Sequence, residues 1–365
     1  MRKTTVVSLG LLLSCALSAA VPTDEQMKGP FLIASTPYLE DGSVDYDALV
    51  KEAEYMDRSG CCGIIWPQSN DSIDLLTHEE KFTAIRRLVA AARGFRNAVC
   101  TIGVSGTNVT EMLELAAFAE ETAAGSPAPI ALAARPPTDG RTVDEMHAYF
   151  EALGRVAKRP VIVQSLVNEK CPDPEVEFLV DLARRYPGVY GYIKEESDGQ
   201  RALERQRAEV KAKPAVKTVF SAMGGWMWLY QARQCGTEGL VSERPAYSPL
   251  VARIWQEMKT GDRDGKLQAL YAMYRYMIDQ RAVPGGSLRG YSLYYLKKLG
   301  VFRTTLSRTY LKKRETNAGT YGDGHDWQLV DLTLSDADKA ELDANFDGMR
   351  RFLAETKRME GKEMK

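Results

Sequence analysis

The strongest constraint on the fold is a repeating pattern, in which a short apolar run is followed by a stretch with the apolar spacing of a helix. The pattern occurs eight times in about 230 residues, which is close to the size of an eight-stranded barrel. Apolar strands that alternate with helices are typical of a parallel sheet covered by helices. The predicted strand and helix pairs are 31–34 with 46–58, 62–66 with 77–93, 98–104 with 110–123, 130–134 with 143–157, 161–163 with 174–185, 189–197 with 200–212, 216–220 with 225–234, and 239–241 with 247–259.

Eight such units favour an α/β fold of the closed (β/α)8 TIM-barrel type over an open doubly wound sheet. No Gly-x-Gly-x-x-Gly follows the first strand, which argues against a dinucleotide-binding fold. We predict the barrel over residues 28–260 and a C-terminal helical extension over 261–365. In the extension, helical spacing covers 262–280, 292–299 and 335–357, and a polar, glycine-bearing stretch covers 317–326.

The N-terminus has the order of residues that is typical of an export signal. Two basic residues follow the first methionine, the apolar run 6–17 is short for a membrane span, and small residues follow at 18–20. We predict a signal peptide at 1–20 and therefore a periplasmic or extracellular protein. The sequence Leu-Leu-Ser-Cys that ends at Cys15 also resembles a lipoprotein cleavage box. Cleavage near Ala20 and lipid attachment through Cys15 are therefore both open.

Composition excludes several classes of function. The formal net charge is -1 over 365 residues, and no basic run is interleaved with aromatic residues, so nucleic acid is not a predicted partner. The cysteines after Cys15 are scattered without Cys-x-x-Cys spacing, and the 3 histidines lie far apart. We therefore predict no metal site and no cofactor, and a small molecule as the partner.

A lysine stands near the end of the sixth predicted strand. Lys194 follows Ile193, which should be buried, and an ammonium group loses hydration free energy among apolar neighbours. A salt bridge, or a side chain that reaches solvent, would explain such a lysine. Loss of the proton is the other solution, and a neutral amine attacks carbonyl carbon. Because active sites of such barrels lie at the carboxyl ends of the strands, we expect Lys194 in the mouth of the barrel.

Short motifs occur in a fixed order along residues 29–300. They cover 34–37, 41–45, 63, 76–80, 103–104, 110–111, 191–197, 239–242 and 295–300. Their order resembles the dihydrodipicolinate synthase and N-acetylneuraminate lyase family of class I aldolases. The resemblance implies that Lys194 forms a Schiff base with a small 2-oxo acid. It also implies a homo-oligomer, either a dimer or a tetramer.

The loop after the second strand departs from the family pattern. The family has Gly-[Thr/Ser]-[Thr/Ser]-Gly-Glu there, and residues 68–72 of this chain are Gln-Ser-Asn-Asp-Ser. Ser69 and Asn70 can still donate hydrogen bonds to a substrate carboxylate. Without the glycines the backbone approaches a ligand less closely. Asp71 would oppose an anion unless it points away.

The family's proton-shuttle tyrosine after the fourth strand is also missing. Thr138 falls near its position, and a threonine hydroxyl is a much weaker acid than a phenol. Arg135 could bind a carboxylate or phosphate with two hydrogen bonds, or pair with a loop acid such as Asp139. Val241, in the matching eighth strand, completes the predicted substrate site.

Two glutamates follow the lysine directly. One of Glu195 and Glu196 should point into the mouth and the other towards the helices. An inward Glu195 would either hold Lys194 protonated or act as a general acid and base.

These features predict an exported class I lyase or aldolase. Lys194 would form the Schiff base with pyruvate or a sugar-derived keto acid, and Ser69 and Asn70 would hold its carboxylate. Two alternatives are open: a catalytically impaired barrel that binds a small carboxylated ligand, and a Schiff-base dehydratase.

Overall fold

The chain folds into a closed barrel of eight parallel strands in the order β1 to β8, with a helix after each strand. The predicted (β/α)8 fold is therefore confirmed. The computed structural model describes residues 20–68, 71, 73–140, 142–165, 171–197, 199–262, 265–279, 288–310, 327–332 and 334–363. The predicted signal segment up to residue 19, including Cys15, and the whole of the predicted polar stretch 317–326 lie outside these residues.

The elements agree with the repeating pattern to within a few residues. The strands of the barrel are β1 Gly29–Ile33, β2 Gly63–Trp66, β3 Val99–Gly103, β4 Ile130–Ala134, β5 Val161–Ser165, β6 Tyr192–Glu195, β7 Thr218–Ser221 and β8 Gly239–Ser242. The helices that follow them are α1 Tyr46–Arg58, α2 His78–Ala92, α3 Val109–Ala124, α4 Val143–Val156, α5 Val176–Arg185, α6 Gly199–Lys211, α7 Trp228–Cys235 and α8 Ser248–Thr260.

Local signals explain where several helices begin. Thr77 and Glu80 form a capping box at the start of α2, as the sequence predicts, and Thr142 and Glu145 form another at the start of α4. Strand β6 is shorter than predicted. Gly191 has a φ of 115°, outside the strand region, so the extended backbone begins only at Tyr192.

Aromatic rings pack inside the barrel. Phe31 and Phe220 pack edge to face with their centroids 5.3 Å apart. Glycines make room for them: a Cβ at Gly63 would lie 2.0 Å from the Phe31 ring, and one at Gly239 would lie 2.4 Å from the Phe220 ring. The Tyr192 hydroxyl donates to Asp24, which precedes β1. These side chains pack inside the barrel, and ligands of such barrels bind at the carboxyl ends of the strands.

The C-terminal region contains the three predicted helices, α9 Leu267–Ile278, α10 Leu288–Lys298 and α11 Asp336–Glu363. It also contains an antiparallel pair of strands, β9 Leu306–Tyr310 and β10 Trp327–Asp331, which the sequence analysis did not predict. Within the described residues, no helix is long and apolar enough to cross a membrane, and no cluster of acids, histidines and cysteines is arranged to bind a metal ion.

Candidate active site at the mouth of the barrel

Lys194 lies on the inner face of β6. Side chains alternate along a strand, and Tyr192, two residues earlier, packs in the apolar cluster that fills the barrel, whereas Ile193 packs in the outer core towards the helices. The lysine is almost fully buried, with 2% of its surface exposed. In register it lies beside Gln164 on β5 and Phe220 on β7. The barrel therefore holds a buried primary amine near the carboxyl end of β6.

Glu196 provides the polar partner of this amine. Its Oε2 lies 3.0 Å from the Lys194 Nζ and also accepts a hydrogen bond from the Gln164 side-chain amide. The Glu196 backbone N–H donates to the Ser165 hydroxyl at 3.0 Å, which attaches the glutamate to the end of β5. The two charged side chains are 3% and 10% exposed. The mouth therefore contains a desolvated ammonium–carboxylate pair held by two neighbouring strands.

Glu195 points the other way, so it is not the inward glutamate considered above. Its carboxylate accepts hydrogen bonds from the Arg205 Nε on α6, at 2.8 Å, and from the Ser197 backbone N–H, at 2.7 Å. Burial by itself raises the pKa of Glu195, and Arg205 and Ser197 outweigh it and lower that pKa below its ordinary value. Glu195 therefore stabilises the contact between strand and helix on the outside of the barrel.

The outer side also buries further acids beside Arg205. Asp173 and Glu209 lie 3.5 and 3.9 Å from the Arg205 guanidinium. Burial raises the pKa of Glu209 well above its ordinary value, and the charge of Glu195 raises it further. Burial likewise raises the pKa of Asp173. The Arg205 guanidinium thus lies within 4 Å of three carboxyl groups, those of Asp173, Glu195 and Glu209. The raised pKa of Glu209 favours its neutral form.

The rebuilt loop after β2 is tied to the loop after β1. The Asp71 carboxylate accepts hydrogen bonds from the Thr36 backbone N–H, at 2.8 Å, and from the Thr36 hydroxyl. The Trp66 indole N–H donates to the same hydroxyl at 3.0 Å. The charge of Asp71 is therefore directed at Thr36. Ser69 and Asn70, the predicted carboxylate-binding residues, lie outside the described residues, and their role stays a prediction.

Arg135 is buried at the end of β4 and forms an ion pair, although with a different acid from the one considered above. Its guanidinium contacts Asp74, 2.6 Å away in the short helical turn after β2, instead of Asp139. Burial raises the pKa of Asp74, and the nearby Arg135 only partly offsets this. The Arg135 backbone N–H donates to the Ser105 hydroxyl. The arginine links three strand ends, and its binding of a ligand carboxylate stays a prediction.

The two remaining predicted residues lie in different surroundings. Thr138 is buried after β4, and its hydroxyl has no hydrogen-bond partner among the residues that the structure describes. Val241 lies in register with Phe31 and packs in the apolar cluster that fills the barrel. Thr138 therefore offers an unused hydroxyl, and Val241 contributes an apolar wall.

The C-terminal hairpin β9–β10 is attached to two loops of the mouth. Arg308 on β9 is buried, lies between the rings of Tyr38 and Trp327, and binds Glu80 with distances of 2.5 and 2.8 Å. Its guanidinium also donates to the carbonyl oxygens of Gly42 and Leu75. The hairpin thus fixes the segments that follow β1 and β2.

The sequence predicts that one of Glu195 and Glu196 points into the mouth, and a usable signal favoured Glu196; Gln164 was not among the predicted site residues. Residues two apart on a strand share a face, so placing Lys194 inward also places residue 196 inward. Gln164 is the register neighbour of the lysine. No comparable signal pointed to Asp74 or Arg308, because their partners lie 61 and 228 residues away.

Comparison with known proteins finds relatives at low sequence identity. No protein-family model matches the sequence. The 4-hydroxy-tetrahydrodipicolinate synthase of Rhizobium meliloti (strain 1021) is 25% identical over 204 residues, which are 54% of this chain and 67% of the relative. The enzyme of the same name from Ralstonia nicotianae is 26% identical over 196 residues, which are 54% of this chain and 63% of the relative. The matches thus span about two thirds of these curated relatives.

The fold extends the likeness to nearly the whole chain. The sialic acid aldolase of Ruminococcus gnavus superposes with a TM-score of 0.71 over 91% of this chain and 99% of the aldolase, at 15% identity. At that identity the superposition establishes the barrel architecture alone. The sequence matches and the shared barrel point to the dihydrodipicolinate synthase and N-acetylneuraminate lyase family, and the low identities fit a divergent member.

Proposed function

We propose that this protein is a class I lyase or aldolase, in which Lys194 forms a Schiff base with a 2-oxo acid. The observation that carries the proposal is the buried Lys194 amine, 2% exposed, at the carboxyl end of β6 with a carboxylate 3.0 Å away. A lysine amine can add to a ketone carbon, and the iminium that it forms withdraws electrons from the neighbouring carbon. A carbon–carbon bond one atom away can then break or form.

The substrate proposed is pyruvate or a sugar-derived keto acid. Relatives are named for tetrahydrodipicolinate synthesis and for sialic acid cleavage, and both names support an acidic, carbonyl-bearing substrate. Ser69 and Asn70 would bind its carboxylate. Arg135, held by Asp74 at 2.6 Å, would add positive charge to the same end of the barrel. A dimer or tetramer is proposed from the family resemblance.

Reductive trapping tests the proposal directly. The purified protein is incubated with pyruvate or with N-acetylneuraminate, reduced with borohydride and mapped by peptide mass spectrometry. We expect the reduced adduct on the peptide that carries Lys194, and none in the Lys194→Arg variant, which keeps the charge but not the nucleophile. If neither keto acid adds mass at Lys194, the Schiff-base proposal is wrong.

The second candidate function is a barrel that binds a small carboxylated ligand without turning it over. The absence of a tyrosine at the position of Thr138 favours it, because the proton shuttle is missing from its usual place. Adduct formation at Lys194 without cleavage or dehydration of the substrate carbon chain would support this candidate. Loss of a hydroxyl group from the substrate carbon chain as water, without carbon–carbon cleavage, would indicate a dehydratase.

Export is proposed from the N-terminal sequence. The mature protein would begin after Ala20, or at a lipid-modified Cys15. N-terminal peptide mass spectrometry of the protein from its native host distinguishes the two, and an intact Met1 in the mature protein would contradict both.

A further inference from the structure

We propose that Glu196 carries the protons of the reaction at Lys194 and replaces the tyrosine that this chain lacks after β4. This inference rests on the proposed Schiff-base function and names the residue that the function needs next. An imine enzyme must move protons on and off the amine, the departing hydroxyl and the carbon beside the imine. A carboxylate in contact with the amine can serve all three.

The contacts of Glu196 fit this role. Its Oε2 is 3.0 Å from the Lys194 Nζ, which is within the distance for direct proton transfer. Gln164 donates to the same oxygen, and Ser165 accepts from the Glu196 backbone N–H, so the carboxylate is oriented by β5 while it contacts β6. With 10% of its side chain exposed, Glu196 lies where little water competes for the proton.

The other candidate groups are engaged elsewhere or are chemically unsuited. Glu195 binds Arg205 on the outer side of the strand. Asp74 is paired with Arg135 at 2.6 Å. The Thr138 hydroxyl is too weak an acid to replace a phenol by itself. Among the residues that the structure describes, Glu196 is the carboxylate that contacts the Lys194 amine.

The proton steps balance with Glu196 alone. The Lys194 ammonium gives a proton to the carboxylate, and the free amine attacks the ketone carbon, so that a nitrogen–carbon bond forms and the oxygen takes the proton from nitrogen. The Glu196 acid then protonates the hydroxyl, water leaves, and the nitrogen lone pair closes the iminium. The regenerated carboxylate removes a proton from the adjacent carbon, and the electron pair forms the enamine. Ammonium and ketone thus give iminium and water before the last step.

Proton exchange on pyruvate isolates this role. In heavy water, the wild-type protein should replace the methyl protons of pyruvate with deuterium, because each enamine that forms takes up a solvent deuteron. NMR measures the rate of this exchange. We expect Glu196→Gln to lower the exchange rate by about 10²- to 10⁴-fold, the usual contribution of general acid–base catalysis. The matched control is Glu195→Gln, the same change on the outer face, which should leave exchange within about threefold of wild type per folded molecule.

The outcomes separate this inference from the proposed function. If the wild type forms no borohydride-trapped adduct, the Schiff-base function itself fails. If the wild type forms the adduct but Glu196→Gln exchanges within about threefold of it, Glu196 is not the proton carrier. If Glu196→Gln does not fold, Glu196→Asp keeps the charge with a shorter reach. It should trap pyruvate and exchange at least about tenfold more slowly than wild type, and an unchanged rate would contradict the inference.

Discussion

Two neighbouring glutamates at the end of β6 point to opposite sides of the barrel wall and have different partners. On the mouth side, Glu196 shares its carboxylate between a lysine and an amide, and little of it is exposed. On the helix side, Glu195 is bound by the Arg205 guanidinium and a backbone N–H. An amine is a proton donor that can also become a nucleophile, whereas a guanidinium stays charged. The inner pair can therefore react, and the outer pair can only hold the barrel together.

The largest effect should follow from changing the inner amine. We expect Lys194→Arg to lower pyruvate methyl exchange by at least about 10³-fold, because a guanidinium cannot form the imine. The ion pair with Glu196 survives in this variant, so its urea midpoint should stay close to that of the wild type. Exchange by NMR and unfolding by circular dichroism measure the two. Residual exchange above about a tenth of the wild-type rate would show that another residue is the nucleophile.

Changing the outer pair, Glu195 and Arg205, should lower the stability of the fold and leave the exchange of pyruvate protons intact. Glu195→Gln removes the charge that Arg205 contacts at 2.8 Å, and we expect the free energy of unfolding to fall by about 2–3 kcal/mol. Asp173 and Glu209 remain beside Arg205, so the loss should stay below the ~3–5 kcal/mol typical of a fully broken buried pair. Urea denaturation measures it. Loss of pyruvate exchange in the folded variant would instead show that Glu195 takes part in the reaction, and the proposed difference in role between Glu195 and Glu196 would be wrong.

Gln164 tests how much the inner carboxylate depends on its second donor. Its amide donates to the Glu196 oxygen that contacts Lys194, and Gln164→Leu removes that donor while keeping most of the volume. We expect exchange to fall about tenfold, equivalent to ~1.4 kcal/mol, a typical loss for a hydrogen bond to a charged group. Trapping of pyruvate at Lys194 should remain. A variant as impaired as Glu196→Gln would mean that Gln164 contacts substrate itself.

The same contrast shows what could be predicted from the sequence. The barrel follows from local signals: α1 and β4 have the predicted bounds because an apolar run or a helical spacing is complete within each segment. The face of Glu196 was also predictable, from the period of two along β6. The hairpin held by Arg308 was not, because the stabilising contacts with Glu80 and Leu75 join distant parts of the chain. Likewise, Arg135 could be recognised as needing an acid, but only the fold identifies Asp74 as that acid.

The smallest predicted effect is a difference between Glu209 and Glu195, on the helix side of β6, in how each makes the free energy of unfolding depend on pH. The folded-state pKa of Glu209 lies well above its ordinary value of 4.5, first because of burial and then because of Glu195. As pH rises from that ordinary value towards the folded-state pKa, the unfolded chain releases a proton that the folded chain keeps, so the free energy of unfolding falls. Glu195 has the opposite sign, because its pKa is lowered and its stabilisation is lost only on acidification.

Glu209→Gln replaces the carboxyl group by a neutral amide. The fall in the free energy of unfolding that Glu209 causes as pH rises should therefore disappear in this variant. We expect the variant to gain free energy of unfolding relative to wild type between pH 5 and pH 8, because only the wild type carries the buried carboxyl group with the raised pKa. Urea denaturation at the two pH values measures the gain. Glu204→Gln, an exposed change on the same helix, is the control and should show no such difference. If Glu209→Gln is equally destabilised at both pH values, Glu209 is ionised in the folded protein, and Arg205 balances all three carboxylates on the helix side of β6.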